Sequence, residues 1–361
     1  MKILLLAGEE SGVMYAERIA EAIRGKTPEA EIRGYGDYGF KTGDLAVMGL
    51  GQVLRRIFYF LGVKRTMERA IDEWRPDVVC TVDYPGMNLK LAAYAKKNGI
   101  RTVHVVCPQV WAWKRGRIPK IEASLDKLCC FFPFEPKLFR AGFAEFVGHP
   151  LVDEMRDEGS GIRDQGVVLA ILPGSRMGEI EKHLPVLLEV VEKLQKETPD
   201  LKVVIPAAND RAYRAITSCV SHLKSSSCIV VTRGEARAAL RDATAAVVAS
   251  GTATLEAALA GCPTVLVYRV GWLFAFLARR FIKGIRHIGL ANIIAEKSGK
   301  QCPMPELLQE NFTAEKVLAM VKPLLERKEA NEIARALLAD TMKLLRSDGG
   351  AIARIADRVL L

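Results

Sequence analysis

"DVVCTVDYPGMN", residues 77–88, decides how the chain is read. Its first half is a run of apolar and β-branched residues closing at Val82. Its second half is a turn containing Pro85 and Gly86, with Asp83 the carboxylate at the junction. A run that is apolar at successive positions, rather than at alternate ones, reads as a strand covered on both faces, as in a parallel sheet flanked by helices. Seven further runs have this character: "KILLLA" (2–7), "RTVHVV" (101–106), "KLCCFF" (127–132), "VVLAIL" (167–172), "LKVVIP" (201–206), "AAVVAS" (245–250) and "PTVLVY" (263–268). Stretches of helical period separate them. The prediction is an α/β protein with two Rossmann-like lobes facing a cleft, four strand runs in each half.

Length agrees. The 361 residues allow about two domains at roughly 150 residues each. The polar, glycine-containing stretch "MRDEGSGIRDQG" (155–166) marks the break, dividing an N-terminal domain (1–160) from a C-terminal one (161–330). Residues 331–361 carry Ile333, Leu337, Leu338, Met342 and Leu345, then Ile352, Ile355 and Val359, at helical spacing, and are predicted to form two closing helices.

The balance of 52 Lys and Arg against 42 Asp and Glu gives +10, which suits an anionic partner without choosing among nucleic acid, a phosphorylated metabolite or an acidic membrane. No nucleic-acid reading motif is present, and no nucleic acid is predicted as partner. The apolar N-terminal run is too short for a signal peptide, and the longest uncharged apolar stretch, 270–278, is far below the roughly 20 residues that span a bilayer. A cytoplasmic protein is expected. Eight cysteines occur with no CxxC pair and are read as reduced core residues, with no metal site and no cofactor expected.

In such sheets ligands bind beyond the carboxyl ends of the strands, so residues just after strands are the candidates. "AGEESG" (7–12) follows the first strand and precedes a helix read from about Val13. It is not GxGxxG, so it is either an ordinary turn or a weak phosphate site. "LPGSRMGEIEKHLP" (172–185) offers Gly174, Ser175, Arg176 and Glu179 at a turn before a helix in which Pro185 suits the first turn. Arg176 is suited to a diphosphate, or alternatively to a surface pair with Glu179. "ASGTATLEAALAGCP" (249–263) repeats the design with Ser250, Gly251, Thr252 and Thr254, where free N–H groups and two hydroxyls suit an anion. Glu256, one turn into that helix, would repel phosphate and instead suits ribose hydroxyls, unless it is simply solvated. The basic amphipathic stretches 53–71 and 271–289 read either as interfacial segments or as core helices.

Taken in order, "GEESG", "DLAVMGL" (44–50), "VDYPGMNLKLA", "PQVWAWKRGRIPKI" (108–121), "FPFEP" (132–136), "FVGHPLVDE" (146–154), "LPGSRMGEI", "ASGTATLEAAL" and "ELLQE" (306–310) resemble the lipid-A-disaccharide synthase family across almost the whole chain. The resemblance implies a GT-B inverting glycosyltransferase, peripheral to the cytoplasmic face of the inner membrane of Gram-negative bacteria. Its implied substrates are UDP-2,3-diacylglucosamine and 2,3-diacylglucosamine 1-phosphate, its products a β1-6 disaccharide and UDP, and an oligomer is compatible with it. It implies an acceptor-binding N-terminal domain and a UDP-sugar-binding C-terminal one. Asp83 is then the first candidate for catalytic base and Glu9 the second, and Asn292 joins the UDP-sugar set. Arg176 and the helix at 252 stand in for a metal. Trp272, Phe274, Arg279, Arg280 and Lys283 become candidate membrane or acyl contacts. The chain departs from the family pattern at Val13 and Gly86, where acidic residues are usual, and at "GYGDYGF" (34–40). The rival readings are another UDP-N-acetylglucosamine enzyme of the same fold and a non-enzymatic basic binding protein.

Overall fold

A computed structural model describes residues 1–8, 10–34, 50–156, 166–223, 226–271 and 286–361, and the side chains of these except at 10, 11, 50–60 and 156. Contacts divide the chain into two units, Met1–Asp153 with Leu345–Leu361, and Glu154–Leu344.

The first unit is built on a six-stranded parallel sheet ordered β2-β1-β3-β4-β5-β6, comprising β1 (Lys2–Ala7), β2 (Glu31–Arg33), β3 (Val78–Val82), β4 (Arg101–Val105), β5 (Lys127–Cys130) and β6 (Ala144–Phe146). All five residues of β3 are buried, with Val79 opposite Leu4 on one side and Thr102 on the other. Full burial of such a side chain is worth roughly 1.5–3 kcal/mol, and charge in the inner strands of this sheet is confined to their first residues, Lys2, Arg101 and Lys127. One face is covered by α1 (Glu10–Lys26) and the other by α2 (Leu50–Trp74) and α3 (Pro85–Lys97). Helix α1 begins three residues earlier than the start read near Val13. Met67 and Ile71 of α2 are buried against Leu4, Val79 and Leu91, so the C-terminal part of the 53–71 stretch is a core helix.

The second unit repeats the plan with order β12-β11-β10-β7-β8-β9, comprising β7 (Val168–Leu172), β8 (Lys202–Ala207), β9 (Ile229–Arg233), β10 (Ala245–Ala249), β11 (Thr264–Tyr268) and β12 (Glu306–Leu308). In both sheets, chain order reverses between two adjacent strands: between β1 and β3 in the first, between β7 and β10 in the second. A crevice opens at such a reversal because the connections leave toward opposite faces.

Two expectations change. Pro185 lies well inside α6 (Met177–Glu197), not in its first turn. The helix tolerates it at the cost of the hydrogen bond that a residue there would give to the Glu181 carbonyl. The C-terminal tail does not stay together. Helix α12 (Lys328–Met342) belongs to the second unit, where the Arg335 guanidinium donates to the Gly261 carbonyl at 2.9 Å. Helix α13 (Ala351–Leu360) buries Ile355, Ala356 and Val359 against Ile19 and Val103 of the first. There Arg101 donates to the carbonyls of Arg358 and Val359, and Glu145 accepts from Arg354 and Arg358. The Arg358 guanidinium, with Arg354 and Lys127, holds the Glu145 carboxyl down at about 2.

All eight cysteines are free; Cys219 is exposed and Cys228 and Cys302 half-buried, so these three are not core residues. Among the described residues, Cys107, Cys130 and Glu135 form a fully buried group with ligand atoms within 4.8 Å of one another. Its geometry is accounted for by protein partners: Glu135 accepts from Trp111 Nε1 at 3.2 Å and from the Phe132 amide at 3.1 Å.

Candidate functional site

At the reversal of the second sheet, the turns after β7 and β10 border an open cavity of about 360 Å³, within the range of small-molecule sites. Gly174, Ser175, Arg176, Glu179, Ser250, Gly251, Thr252 and Glu256, eight of the ten residues expected to bind UDP-sugar, line it. The first turn is organised by Glu179, whose carboxylate accepts from the amides of Ser175 and Arg176 at 3.2 and 3.3 Å. Gly174 is required there. Its φ is +122°, and a β-carbon would fall 2.6 Å from Glu179 Oε2. Arg176 pairs with Glu179 at 3.1 Å, yet its side chain is 81% exposed, leaving the rest of the guanidinium open to the cavity. Glu179 is half-buried and held by two backbone amides, but the largely exposed Arg176 end of the pair is screened by water, so a diphosphate can compete for it.

The second turn leads into α9 (Thr252–Leu259), whose first amides have no side-chain cap. The amides of Thr252 and Ala253, which border the cavity, are the donors open to a ligand, while the Thr254 amide donates to the Gly251 carbonyl at 3.2 Å. Glu256 accepts from Arg237 Nε at 3.3 Å, and Arg237 Nη1 donates to Glu154 at 2.9 Å. Sequence reasoning missed Arg237 because α8 (Ala236–Asp242) carries no recognisable motif. It missed His183 for the same reason. That buried ring accepts from the Arg269 amide at 2.9 Å while its Nδ1 lies 2.7 Å from the Pro173 carbonyl, tying the turn after β7 to the end of β11.

Two expected ligands are buried and hydrogen-bonded within the fold. Thr254 is fully buried, and its hydroxyl donates to the Gly251 carbonyl at 2.8 Å. Asn292, in α10 (Leu290–Lys297), is fully buried as well. Its amide donates to the Met304 carbonyl at 2.7 Å and Glu306 at 2.8 Å and accepts from the Met304 amide at 3.0 Å, so both of its N–H donors are committed within the fold.

In the first unit, Asp83 follows β3 at the reversal point. Asp83 and Tyr84 both have left-handed backbones, φ +52° and +46°. Each costs of order 1–3 kcal/mol for a residue other than glycine, and strain of this kind gathers at functional sites. The turn is held by the Asp83 amide donating to Val105 and by Asn88 Nδ2 donating to the carbonyls of Val82 and Asp83 at 3.0 and 2.7 Å. Burial raises the Asp83 carboxyl above its ordinary range, partly offset by a hydrogen bond from the Tyr84 amide. A carboxylate raised this way and still half-buried is suited to taking a proton. Gly86, where the family usually has an acid, has open space where a β-carbon would lie, so the departure relieves no clash. Glu9, Trp272, Phe274, Arg279, Arg280 and Lys283 lie outside the described residues or side chains. No described helix is long and apolar enough to cross a membrane.

Similar proteins agree with this geometry. The UDP-GlcNAc 2-epimerase from Neisseria meningitidis bound to UDP-GlcNAc aligns with a TM-score of 0.63 at 14% identity, covering all of both chains. The calicheamicin glycosyltransferase aligns at 0.58 and 17%, covering 99% of this chain and 97% of that one. At these identities the likeness establishes the two-lobed glycosyltransferase-type fold alone. In sequence, the chain is 36% identical to the lipid-A-disaccharide synthase of Burkholderia mallei over 95% of this chain and 92% of the relative. It is 33% identical to that of Syntrophus aciditrophicus over 95% and 94%. The family model described as lipid-A-disaccharide synthetase matches residues 3–352, and with relatives of this similarity over nearly full length the chain belongs to the lipid-A-disaccharide synthetase family.

Proposed function

We propose that the chain is a lipid-A-disaccharide synthase, joining UDP-2,3-diacylglucosamine to 2,3-diacylglucosamine 1-phosphate and releasing UDP in lipid A biosynthesis. Family membership carries the reaction, and the observation that carries the site is the convergence of two anion-suited turns with Glu256 in one cavity at the strand-order reversal. In this reading the amides at the start of α9 and the Arg176 guanidinium stabilise the departing diphosphate, and Glu256, oriented by Arg237, accepts from the ribose hydroxyls. Asp83 takes the proton of the acceptor 6-hydroxyl as it attacks the anomeric carbon, with Glu9 the second candidate. One displacement inverts the α-linked donor to a β1-6 product. Leaving-group charge is met by the protein without a metal. The acylated substrates place the enzyme at the cytoplasmic face of the inner membrane, with 271–289 as a contact segment. The test is UDP release in mixed micelles: the reading requires both acylated sugars, and conversion of UDP-N-acetylglucosamine alone to its C2-epimeric UDP-sugar would favour an epimerase-like enzyme.

A further inference from the structure

We infer that the turn Trp113–Arg117 binds the phosphate of the acceptor sugar; this rests on the proposed acceptor being a phosphomonoester. The loop leaves β4, the strand paired with β3, at the same sheet end as Asp83. From inside it is fixed. Val110 and Ala112 are buried, Trp111 donates to the buried Glu135, and its ring meets Phe134 edge-on at 5.6 Å. The chain then folds tightly, with the Trp113 amide donating to Gln109, Lys114 at φ +55°, and the Arg117 amide donating to Lys114. The result presents Lys114, Arg115 and Arg117 around Gly116, with Lys120 beyond. Among the described residues none of these four cations is paired with a carboxylate.

Three cations within four residues, without a carboxylate partner among the described residues and on a turn pinned from beneath, form a preorganised receptor for a compact dianion. The donor's diphosphate has its partners in the second unit, so the acceptor's phosphate requires its own. A β1-6 transfer puts the attacking 6-hydroxyl and the 1-phosphate on the two ring carbons that flank the pyranose oxygen, C5 and C1, a few ångströms apart. Neighbouring strand ends, about 4.8 Å apart, suit a base on β3 and a phosphate receptor after β4. A bilayer contact fits less well. Between Leu61 and Val230, Trp113 is the one exposed large apolar side chain among the described residues, and Lys114 Nζ sits over its ring at 4.5 Å. An interfacial segment presents several such side chains.

The test compares binding of 2,3-diacylglucosamine 1-phosphate and of its dephosphorylated counterpart, in detergent micelles, to the natural protein and to the variant carrying Lys114→Ser, Arg115→Ser and Arg117→Ser. Loss of two or more charge-assisted bonds lowers the preference for the phosphorylated sugar by about 100-fold. Unfolding temperature and UDP affinity report whether the variant is intact; Arg115→Gln alone, at an exposed position, is the second variant and lowers the preference about tenfold. An unchanged preference overturns the inference. So does an equal loss for both sugars accompanied by lost binding to phosphatidylglycerol vesicles, which would make the turn a bilayer contact. Binding is read separately from turnover: a protein that binds the phosphorylated sugar but forms no disaccharide would refute the proposed function and leave this inference standing.

Discussion

Gly8 and Tyr84 fit together only because residue 8 has no side chain: a β-carbon on Gly8 would fall 2.5 Å from Tyr84 Cδ1. Gly12 is nearly as constrained, its β-carbon position being 3.3 Å from the Val82 carbonyl and 3.6 Å from Asp83 Cβ. The two glycines of "GEESG" therefore serve close approach to the Asp83 turn. A side chain at Gly8 is expected to push Tyr84 and, with it, the strained Asp83 backbone. Gly8→Ala should lower kcat by at least about tenfold while leaving UDP affinity, a property of the second unit, near that of the natural protein. Equal loss of UDP affinity would show that the effect is unfolding.

Asp83→Asn keeps shape but cannot accept a proton, and is expected to reduce kcat by about 100-fold or more. Because burial raises the Asp83 carboxyl, the acid limb of the natural enzyme's pH profile should lie above the ordinary aspartate range near 4. The base is competent above its raised pKa and protonated below it. Near-normal turnover by the variant would remove Asp83 from the mechanism.

Arg176→Ala and Glu256→Gln should each raise KM for the UDP-sugar, by roughly tenfold, through the diphosphate and the ribose respectively. Chelation should do little. Activity abolished by EDTA and restored by Mg²⁺ would contradict leaving-group stabilisation by protein groups.

Asn292→Ala and Thr254→Val separate ligand contacts from structural ones. The first strands buried partners at Met304 and Glu306 and should cost about 3 kcal/mol of stability; the second loses one neutral hydrogen bond and should cost about 1 kcal/mol. In denaturant titrations both fall, while UDP affinity changes less than about threefold. The reverse pattern would return them to the ligand set.

Glu135 should leave a signature in stability. Burial raises its carboxyl to about 8, against 4.5 in the unfolded chain. Between those values the folded state holds the extra proton, so this group's contribution is full below about 4.5 and declines as pH rises to about 8. Relative to Glu135→Gln, which cannot titrate, the natural protein should lose more than about 1 kcal/mol from pH 5 to pH 8. A flat difference would mean that the carboxylate is accommodated as a charge.

What could be read from sequence follows the physics of burial. The eight strand runs identified from apolar continuity are the inner strands of both sheets, because inner strands are covered on both faces. The four strands not identified, β2, β6, β9 and β12, are the four sheet edges. Each carries charge, with Glu31 and Arg33, Glu145, Arg233 and Glu306, and three of them, β2, β6 and β12, are only three residues long, as edges commonly are. The donor turns were legible because glycine and hydroxyl residues crowd after strands. The burial of Asn292 and Thr254 was not legible, because type and spacing do not reveal whether a polar group faces a cavity or the core. Arg237 and His183 act through contacts distant in sequence, which no local pattern encodes.

The central claim is tested most directly by incubating the purified protein with UDP-2,3-diacylglucosamine and 2,3-diacylglucosamine 1-phosphate, then determining the product by mass spectrometry and its new linkage by anomeric-proton NMR. The account predicts a tetraacyl disaccharide 1-phosphate with a β1-6 bond, formed with one UDP per disaccharide. Recovery of an epimerised UDP-sugar, of a hydrolysed monosaccharide, or of an α-linked product would contradict it.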